Sequence, residues 1–458
     1  MNPIAAMDDT IVALATPQGV GAIAVIRLSG NEAISIVNEV FKGKDLSKQE
    51  SHTIHFGTIR DGEKILDEVL VSLFIAPKSF TKENVVEIST HGSPFIIKQM
   101  IQLFLRKGAR LARAGEFTKR AFMNGQFDLA QAEAVADLIH SDSEAAHAAA
   151  MNQMRGGFSA EIAALREQLI HFASMIELEL DFSEEDVEFA DRQQLQGLVD
   201  RLQEVIKKLV DSFDLGNVIK NGVPTVIAGK PNAGKSTLLN ALLNEEKAIV
   251  SDIAGTTRDF IEDEIHLEGL SFRFIDTAGL RETEDKVEAI GVERTREKMK
   301  QAAVIIYLFD LAEERLEDIQ EEVAKLQEGS IPFIKVGNKM DEAKPEILEA
   351  LKQEDGWIFI SAGQKENLEE LKDQLVSKVN MQEIKAGNTV VTNARHYESL
   401  IRTQQALDNV TNAIVAQIPG DLMAMDIREA LHYLGEISGT VTTDDLLENI
   451  FSKFCIGK

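Results

Sequence analysis

The chain has 458 residues, a length that suggests about three domains, each able to bury its own core. Hydrophobic residues make up 44% and charged residues 27%, ordinary for a globular protein, and no apolar run reaches the roughly 18 residues a membrane-spanning helix needs. With 48 Lys+Arg against 75 Asp+Glu the net charge is -27, a field that repels phosphate backbones and disfavours non-specific nucleic-acid binding.

Any RNA contact therefore needs a local basic patch or a partner that supplies one. One Trp and three Tyr leave little surface for stacking bases, although 22 Phe remain. The single cysteine, Cys455, excludes an internal disulfide and a multi-cysteine metal site. It reads either as a small packed hydrophobe or as a reactive thiol on an exposed tail. The start, MNPIAAMDDT, lacks the basic flank and apolar stretch of a secretory signal, so the expected location is cytoplasmic, without membrane.

Residues 1 to 124 read as mixed α/β. The apolar runs Thr10–Leu14 and Ala22–Leu28 are broken by Gly19 and Gly21, as strands joined by a tight turn are. From 125 to about 220, Ala, Gln, Glu and Leu dominate, and Leu129, Ala132, Ala136 and Ile139 recur at helical spacing. His140, His147 and His171 lie singly on these helical stretches and read as structural. At Gly222-Val223-Pro224 the texture changes again, and strand-like runs alternate with helical ones to about 381, the pattern of a parallel sheet wound with helices. Helices then resume to 458, with Leu400, Leu407, Val410 and Ile414 on one face. The economical reading is an α/β multidomain chain: an α+β N-terminal domain and a discontinuous α-helical domain into which a P-loop α/β domain is inserted. The acidic run Glu313 to Glu322 reads as a solvated helix face.

The inserted segment carries the chemistry. Residues 229 to 236 read GKPNAGKS after the apolar strand Val226–Ala228. In such a loop the backbone N–H groups around Asn232, Ala233, Gly234, Lys235, Ser236 and Thr237 curl about phosphates, and the following helix directs its positive end at them. Lys235 reaches the β and γ phosphates and Ser236 holds Mg²⁺. Downstream, Ser251, Asp252, Ile253 and Ala254 lead into Gly255-Thr256-Thr257, where Thr257 is the natural second Mg²⁺ ligand. The alternating Leu270, Phe272 and Phe274 make a strand ending in Asp276-Thr277-Ala278-Gly279, in which Asp276 supports Mg²⁺ through water and the Gly279 amide senses the γ-phosphate. Val304–Asp310 is the next strand. Asn338-Lys339-Met340-Asp341 follows the strand Phe333–Gly337, and a carboxylate at Asp341 accepts from both the ring N–H and the exocyclic amine of guanine. Ser361-Ala362-Gly363, after Trp357–Ile360, completes the base pocket. Taken in order, these motifs identify a GTP-hydrolysing enzyme of the Ras-like P-loop class.

One expected group is missing. Where Ras-like enzymes place a water-orienting glutamine after DTAG, this chain has Leu280, so another residue must position the water, and Glu282 to Glu288 is the nearest acidic source. No cis arginine finger is evident, although Arg258 and Arg281 are near. The Asn232 carboxamide either bonds within its loop or coordinates a monovalent cation that supplies an arginine's charge.

With these residues in view, the chain resembles the tRNA modification GTPase family MnmE (also called TrmE) over essentially its full length. The matching stretches are Arg27-Leu28-Ser29-Gly30, Gly115-Glu116-Phe117-Thr118, Asp128-Leu129-Ala130-Gln131-Ala132-Glu133, GKPNAGKS, DIAGTTRD, DTAGLRET and the ending Phe454-Cys455-Ile456-Gly457-Lys458. The resemblance implies an N-terminal dimerisation domain that binds a tetrahydrofolate derivative (5-formyl- or 5,10-methylene-), a helical domain, and a GTPase domain whose turnover is potassium-stimulated and works through dimerisation. It implies a homodimer that acts on tRNA with an FAD-containing partner, MnmG (also called GidA), to build an aminomethyl-type group on C5 of the wobble uridine. By motif it assigns potassium to Asn232, Ser251, Ile253 and Thr256, and the water-orienting role to Glu288, which otherwise reads as a solvated helix carboxylate. It assigns the folate to Arg27, Glu87 and Lys458. The family often has a basic residue where this chain has Gln126, which bonds without charge. The competing reading is a ribosome-assembly or RNA-chaperone GTPase switch without modification chemistry.

Overall fold

The computed structural model describes residues 9–181, 192–247, 263–275, 302–327, 332–379, 389–416, 418 and 420–457. The chain divides into two compact units, one of Met1–Ala136, Gln153–Leu202 and Arg402–Lys458, the other of Asp137–Asn152 and Gln203–Ile401.

The first unit opens with β1 (Ile11–Leu14) and β2 (Gly21–Ser29), followed by α1 (Ala33–Val40), β3 (Phe41–Lys42), β4 (Thr53–Asp61), β5 (Lys64–Phe74), β6 (Val85–Gly92), α2 (Pro94–Arg106), β7 (Arg110–Leu111) and α3 (Glu116–Met123). The strands form one sheet in the order β3-β4-β5-β6-β2-β1-β7. β1 and β2 pair antiparallel as the sequence indicates, but residues 15–20 connect them as a six-residue loop, not a tight turn. Alternation decides the faces. Ile26, Leu28, Val71, Leu73, Val86 and Ile88 turn inward onto Val37 of α1 and Met100, Leu103 and Phe104 of α2. Each such side chain contributes roughly 1.5–3 kcal/mol by leaving water. The opposite face is open, and Ile54 and Phe56 of β4 lie two-thirds exposed there.

Helices α4 (Leu129–His140), α5 (Glu144–Met154), α6 (Gly157–Asp181), α7 (Arg192–Asp211) and α8 (Phe213–Asn221) follow. Leu129 and Ala132 of α4 pack on Leu447, Ile450 and Phe451 near the C-terminus, but Ile139, at the same periodicity, is exposed. The helical period places it, and the packed cluster ends before it.

The second unit holds β8 (Val223–Gly229), α9 (Lys235–Lys247), β9 (Asp263–Leu267), β10 (Leu270–Phe274), β11 (Val304–Asp310), α10 (Leu316–Gln327), β12 (Phe333–Asn338), α11 (Pro345–Lys352), β13 (Trp357–Phe359) and α12 (Leu368–Ser377). Its sheet order is β13-β12-β11-β8-β10-β9; β9 alone pairs antiparallel. Every residue of β11 is buried. Val304, Ile306 and Leu308 join a cluster with α9 and α12, and Ile305, Tyr307 and Phe309 join one with α10 and α11. A parallel strand covered on both faces requires this continuous apolar run. The chain ends with α13 (Ala394–Val415), α14 (Gly420–Ser438) and α15 (Asp444–Phe451), so the nucleotide-type sheet is an insertion within helical chain. Leu400, Leu407 and Val410 of α13 are fully buried, as their spacing indicates. Among the described residues no helix is long and apolar enough to cross a membrane.

Candidate functional site

In the second unit the loops after β8, β11, β12 and β13 leave the same, carboxyl end of the parallel strands, where open α/β sheets bind ligands. The first of these loops holds Asn232 at φ 63 and Gly234 at φ 93. Asparagine tolerates the left-handed region, so the turn itself accounts for Asn232 at that position. Gly234 is fixed by space as well as by φ, because a Cβ there would lie 2.2 Å from Asn338 Nδ2. Lys235 opens α9 and donates to the carbonyls of Gly229 (2.9 Å) and Lys230 (2.8 Å). No carboxylate among the described residues pairs with it, and burial pulls its pKa below the ordinary lysine value. A desolvated ammonium held by carbonyl dipoles is a place for an arriving anion. Ser236 is half-buried and Thr237 exposed on the same helix start.

Asn338 fastens three loops. It is 2% exposed, donates from Nδ2 to Ala233 O at 2.8 Å and accepts at Oδ1 from the Ala362 N–H at 3.0 Å. Lys339, at φ 59, turns its ammonium to Asp310 Oδ2, 2.5 Å away. Asp341 is exposed, Ser361 and Ala362 are buried, and Gly363 is exposed beside them. The structure therefore gathers Asn232 to Thr237, Asn338 to Asp341 and Ser361 to Gly363. Ser251, Asp252, Ile253, Ala254, Gly255, Thr256, Thr257, Asp276, Thr277, Ala278, Gly279 and Glu288 lie outside the described residues.

The acidic run requires a correction. Glu317 and Glu321 do face solvent, but Glu314 is buried. It precedes α10, its Oε1 accepts the Asp310 N–H at 2.9 Å, and its Oε2 sits 2.8 Å from Lys230 Nζ. Composition averaged over the run hides a position where the chain turns back under the phosphate loop.

In the first unit, Arg27 and Glu87 are direct cross-strand neighbours of β2 and β6. Glu87 Oε1 accepts from Arg27 Nε at 2.8 Å and lies 2.7 Å from Nη2. Arg27 Nη1 reaches Gly457 O at 3.4 Å, and the guanidinium lies 5.9 Å from the Phe80 ring centre and 5.7 Å from that of Phe117. The C-terminal tail arrives there because Ile456 bridges Ala114, the Gly115 N–H donates to Cys455 O, and Gly457 takes φ 98 with its Cα against Leu14 O, where a Cβ would lie at 2.2 Å. Lys458 lies outside the described residues. Gln126 is exposed beyond α3, and no contact among the described residues joins its side chain to Arg27. Its neighbour Phe127 packs on Phe80 at 5.8 Å. Cys455 is exposed. Phe80 carries no signal in the sequence; Phe117 is visible only as part of GEFT.

The same unit holds an ion cluster around the buried Arg120. Arg120, with no exposed surface, bonds Asp9, Glu83 and Glu116, and Arg110 bonds Asp9 and Glu116. Ser29 donates to Glu83 at 2.7 Å, so RLSG and GEFT meet through charge in the interior.

Comparison with known proteins fits both regions. The profile described as GTP-binding protein TrmE N-terminus matches residues 10–126, and that of the MnmE helical domain matches residues 129–455. The tRNA modification GTPase MnmE of Cytophaga hutchinsonii is 62% identical over 98% of this chain and 98% of its own length. The proteins of the same name from Flavobacterium psychrophilum and Bacteroides thetaiotaomicron are 58% and 51% identical, each over 98% of this chain and 99% of their own lengths. The chain belongs to the MnmE family of tRNA modification GTPases.

Proposed function

We propose that this chain is the potassium-stimulated GTPase of a two-protein enzyme that installs a carboxymethylaminomethyl or aminomethyl group on C5 of the wobble uridine of certain tRNAs. Its partner, the FAD-containing MnmG, carries the redox cofactor. The observation that carries this reading is the meeting of Arg27, Glu87 and the C-terminal tail at Gly457. A GTPase used only as a switch has no need of such a pocket.

In this reading residues 1–124 dimerise and bind the tetrahydrofolate derivative, 125–220 and 382–458 form the helical domain, and 221–381 form the GTPase domain. Arg27 and Lys458 suit the carboxylates of a glutamate tail, Glu87 accepts from a pterin amino group, and Gln126 adds an uncharged hydrogen bond. Arg27 and Glu87 keep about a quarter of their surface open, and two phenyl rings lie near the Arg27 guanidinium, which suits a flat, polar-edged ligand. The exposed Phe56 and Leu70, opposite one another on β4 and β5, support a homodimer through the open sheet face.

At the nucleotide, Lys235 takes the β and γ phosphates, Ser236 and Thr257 hold Mg²⁺, and Asn232 with Ser251, Ile253 and Thr256 holds K⁺. When bound, the two cations neutralise charge that develops on the transferred phosphate. Glu288 orients the attacking water. Asp341 reads guanine, and an adenine there would leave its carboxylate unmatched. Nucleoside analysis of tRNA from cells lacking this chain tests the reading: the modified wobble uridine should vanish and return on complementation, and normal wobble uridines would overturn it.

A further inference from the structure

The end of β11 and the loop that follows it carry two buried carboxylates, Asp310 and Glu314, and each holds a lysine from a different nucleotide loop. Asp310, 5% exposed, takes Lys339 of the Asn338–Asp341 loop at 2.5 Å. Glu314, 8% exposed, takes Lys230 of the phosphate loop at 2.8 Å. The two carboxylates are themselves locked together. Glu314 Oε1 accepts the Asp310 N–H at 2.9 Å, the Glu314 N–H donates to Asp310 O at 2.9 Å, and Asp310 Oδ1 accepts the Ala312 N–H at 3.0 Å. Among the described residues Glu314 Oε2 accepts no well-aligned hydrogen bond, and Lys230, 2.8 Å away, is the charge that compensates it. Buried carboxylates of this kind are costly unless paired, and removing one partner strands the other.

We propose that Asp310 and Glu314 are positioning residues for guanine-nucleotide binding: they form a clasp that sets Lys339 at the base pocket and Lys230 under the phosphate loop, and ties the placement of one to the other. This deepens the reading of the Asn338–Asp341 loop as the guanine reader and rests on it. Both lysines are held in the charged form, since Lys339 donates to the Asp310 carboxylate and Lys230 lies against that of Glu314, and each carboxylate raises the pKa of its lysine. The covalent path between the loops runs through more than a hundred residues, from Lys230 to Lys339, whereas the clasp spans five, from Asp310 to Glu314. A disturbance at the base loop therefore has a short electrostatic route to the phosphate loop.

The test is equilibrium binding of GDP and inosine diphosphate to the full chain and to a double-mutant cycle of D310N with K339M. D310N should weaken both nucleotides about tenfold and to the same extent, because the clasp does not touch the exocyclic amine that separates them. In the K339M background, D310N should change affinity less than about twofold, because Asp310 acts through Lys339. Equal penalties in both backgrounds, or an unchanged affinity for D310N, would overturn the proposal. If D310N fails to fold, the cycle of E314Q with K230M, whose lysine is half exposed, gives the same comparison, and equal penalties or an unchanged affinity there overturn the proposal in the same way. D341N separates the clasp from the reading beneath it: GDP binding unchanged in D341N would remove the base-loop assignment, whatever the cycles show.

Discussion

Lys235 of the phosphate loop and Arg27 of the open-faced sheet are both half-buried cations, but their charges are balanced in different ways. Lys235 has two carbonyls and, among the described residues, no carboxylate, and burial lowers its hold on its proton. Arg27 has Glu87, a carbonyl of the C-terminal tail and two phenyl rings. The first site therefore waits for charge, and the second is already neutral. An anion arriving at Lys235 relieves a desolvated ammonium. A ligand arriving at Arg27 must share the guanidinium with Glu87, so it has to offer a donor to Glu87 as well as an acceptor to Arg27. Different selectivity follows: phosphate charge at one site, a paired polar edge at the other.

The largest effect that separates them is expected from K235A. GTP turnover should fall by about 10²–10³-fold, as on removing a single charge-stabilising donor, read by phosphate release under single-turnover conditions. Thermal stability should not fall, because the variant deletes a desolvated charge that has no carboxylate partner among the described residues to strand. Turnover within tenfold of the parent, or a marked loss of stability, would erase the contrast between the two cations.

R27A should behave in the opposite manner. It leaves the partly buried Glu87 without its cation, a local cost of about 1–2 kcal/mol once the partial exposure of the pair is allowed for. Binding of 5-formyl-tetrahydrofolate, followed by calorimetry, should weaken at least tenfold, roughly the loss of one charged hydrogen-bonding partner. GTP turnover should stay unchanged. R27K should recover only part of the binding, because an ammonium cannot make both the Nε and Nη2 contacts to Glu87 or lie flat between rings. Full recovery by lysine would show that charge alone matters at this site.

The same contrast explains what is legible in the sequence. The nucleotide loops are contiguous: GKPNAGKS, NKMD and SAG each supply their own backbone turn and their own functional side chains, so order and spacing disclose them. The alternation of Leu270, Phe272 and Phe274 and the unbroken run of β11 disclose the sheet that carries them. The Arg27 pocket is assembled from residues 27, 80, 87, 117 and 457, which only strand register and the docking of the tail bring together. No local period encodes that, and Arg27, Glu87 and the tail are legible through family resemblance alone. Phe80 is not legible at all. Glu314 escapes a local reading for the same reason, since its partner lies in a loop more than eighty residues earlier. Ile139 shows the converse failure: a correct period on a helix that outlasts its packing partner.

The smallest expected difference is in pH response, and the Arg120 cluster and the Asp310–Glu314 clasp should lose their contributions at opposite ends of the scale. In the first unit, burial would raise the pKa of Glu116, but hydrogen bonds from Arg110 and the Arg113 N–H outweigh it and hold the carboxyl below its ordinary range. Burial likewise acts to raise the pKa of Asp9, but Arg110 and Arg120 outweigh it and hold the carboxyl below its ordinary value. A depressed carboxyl stabilises fully above its unfolded pKa and loses that contribution as pH falls through the folded value. In the second unit Lys339 and Lys230 are raised by Asp310 and Glu314, so their contribution is full below the ordinary lysine pKa and is lost as pH rises through the folded values. Trp357, the single tryptophan, lies in β13 and reports unfolding of the second unit by fluorescence, while amide exchange in β1 and β2 reports the first. Exchange in β1 and β2 should quicken on the acid side of the carboxylate range, and the Trp357 transition should move down in temperature at strongly alkaline pH. E116Q should flatten the acid limb without touching the alkaline one. An acid limb unchanged in E116Q would mean that the Arg110–Glu116–Arg120 cluster is held by its packing and not by its charge.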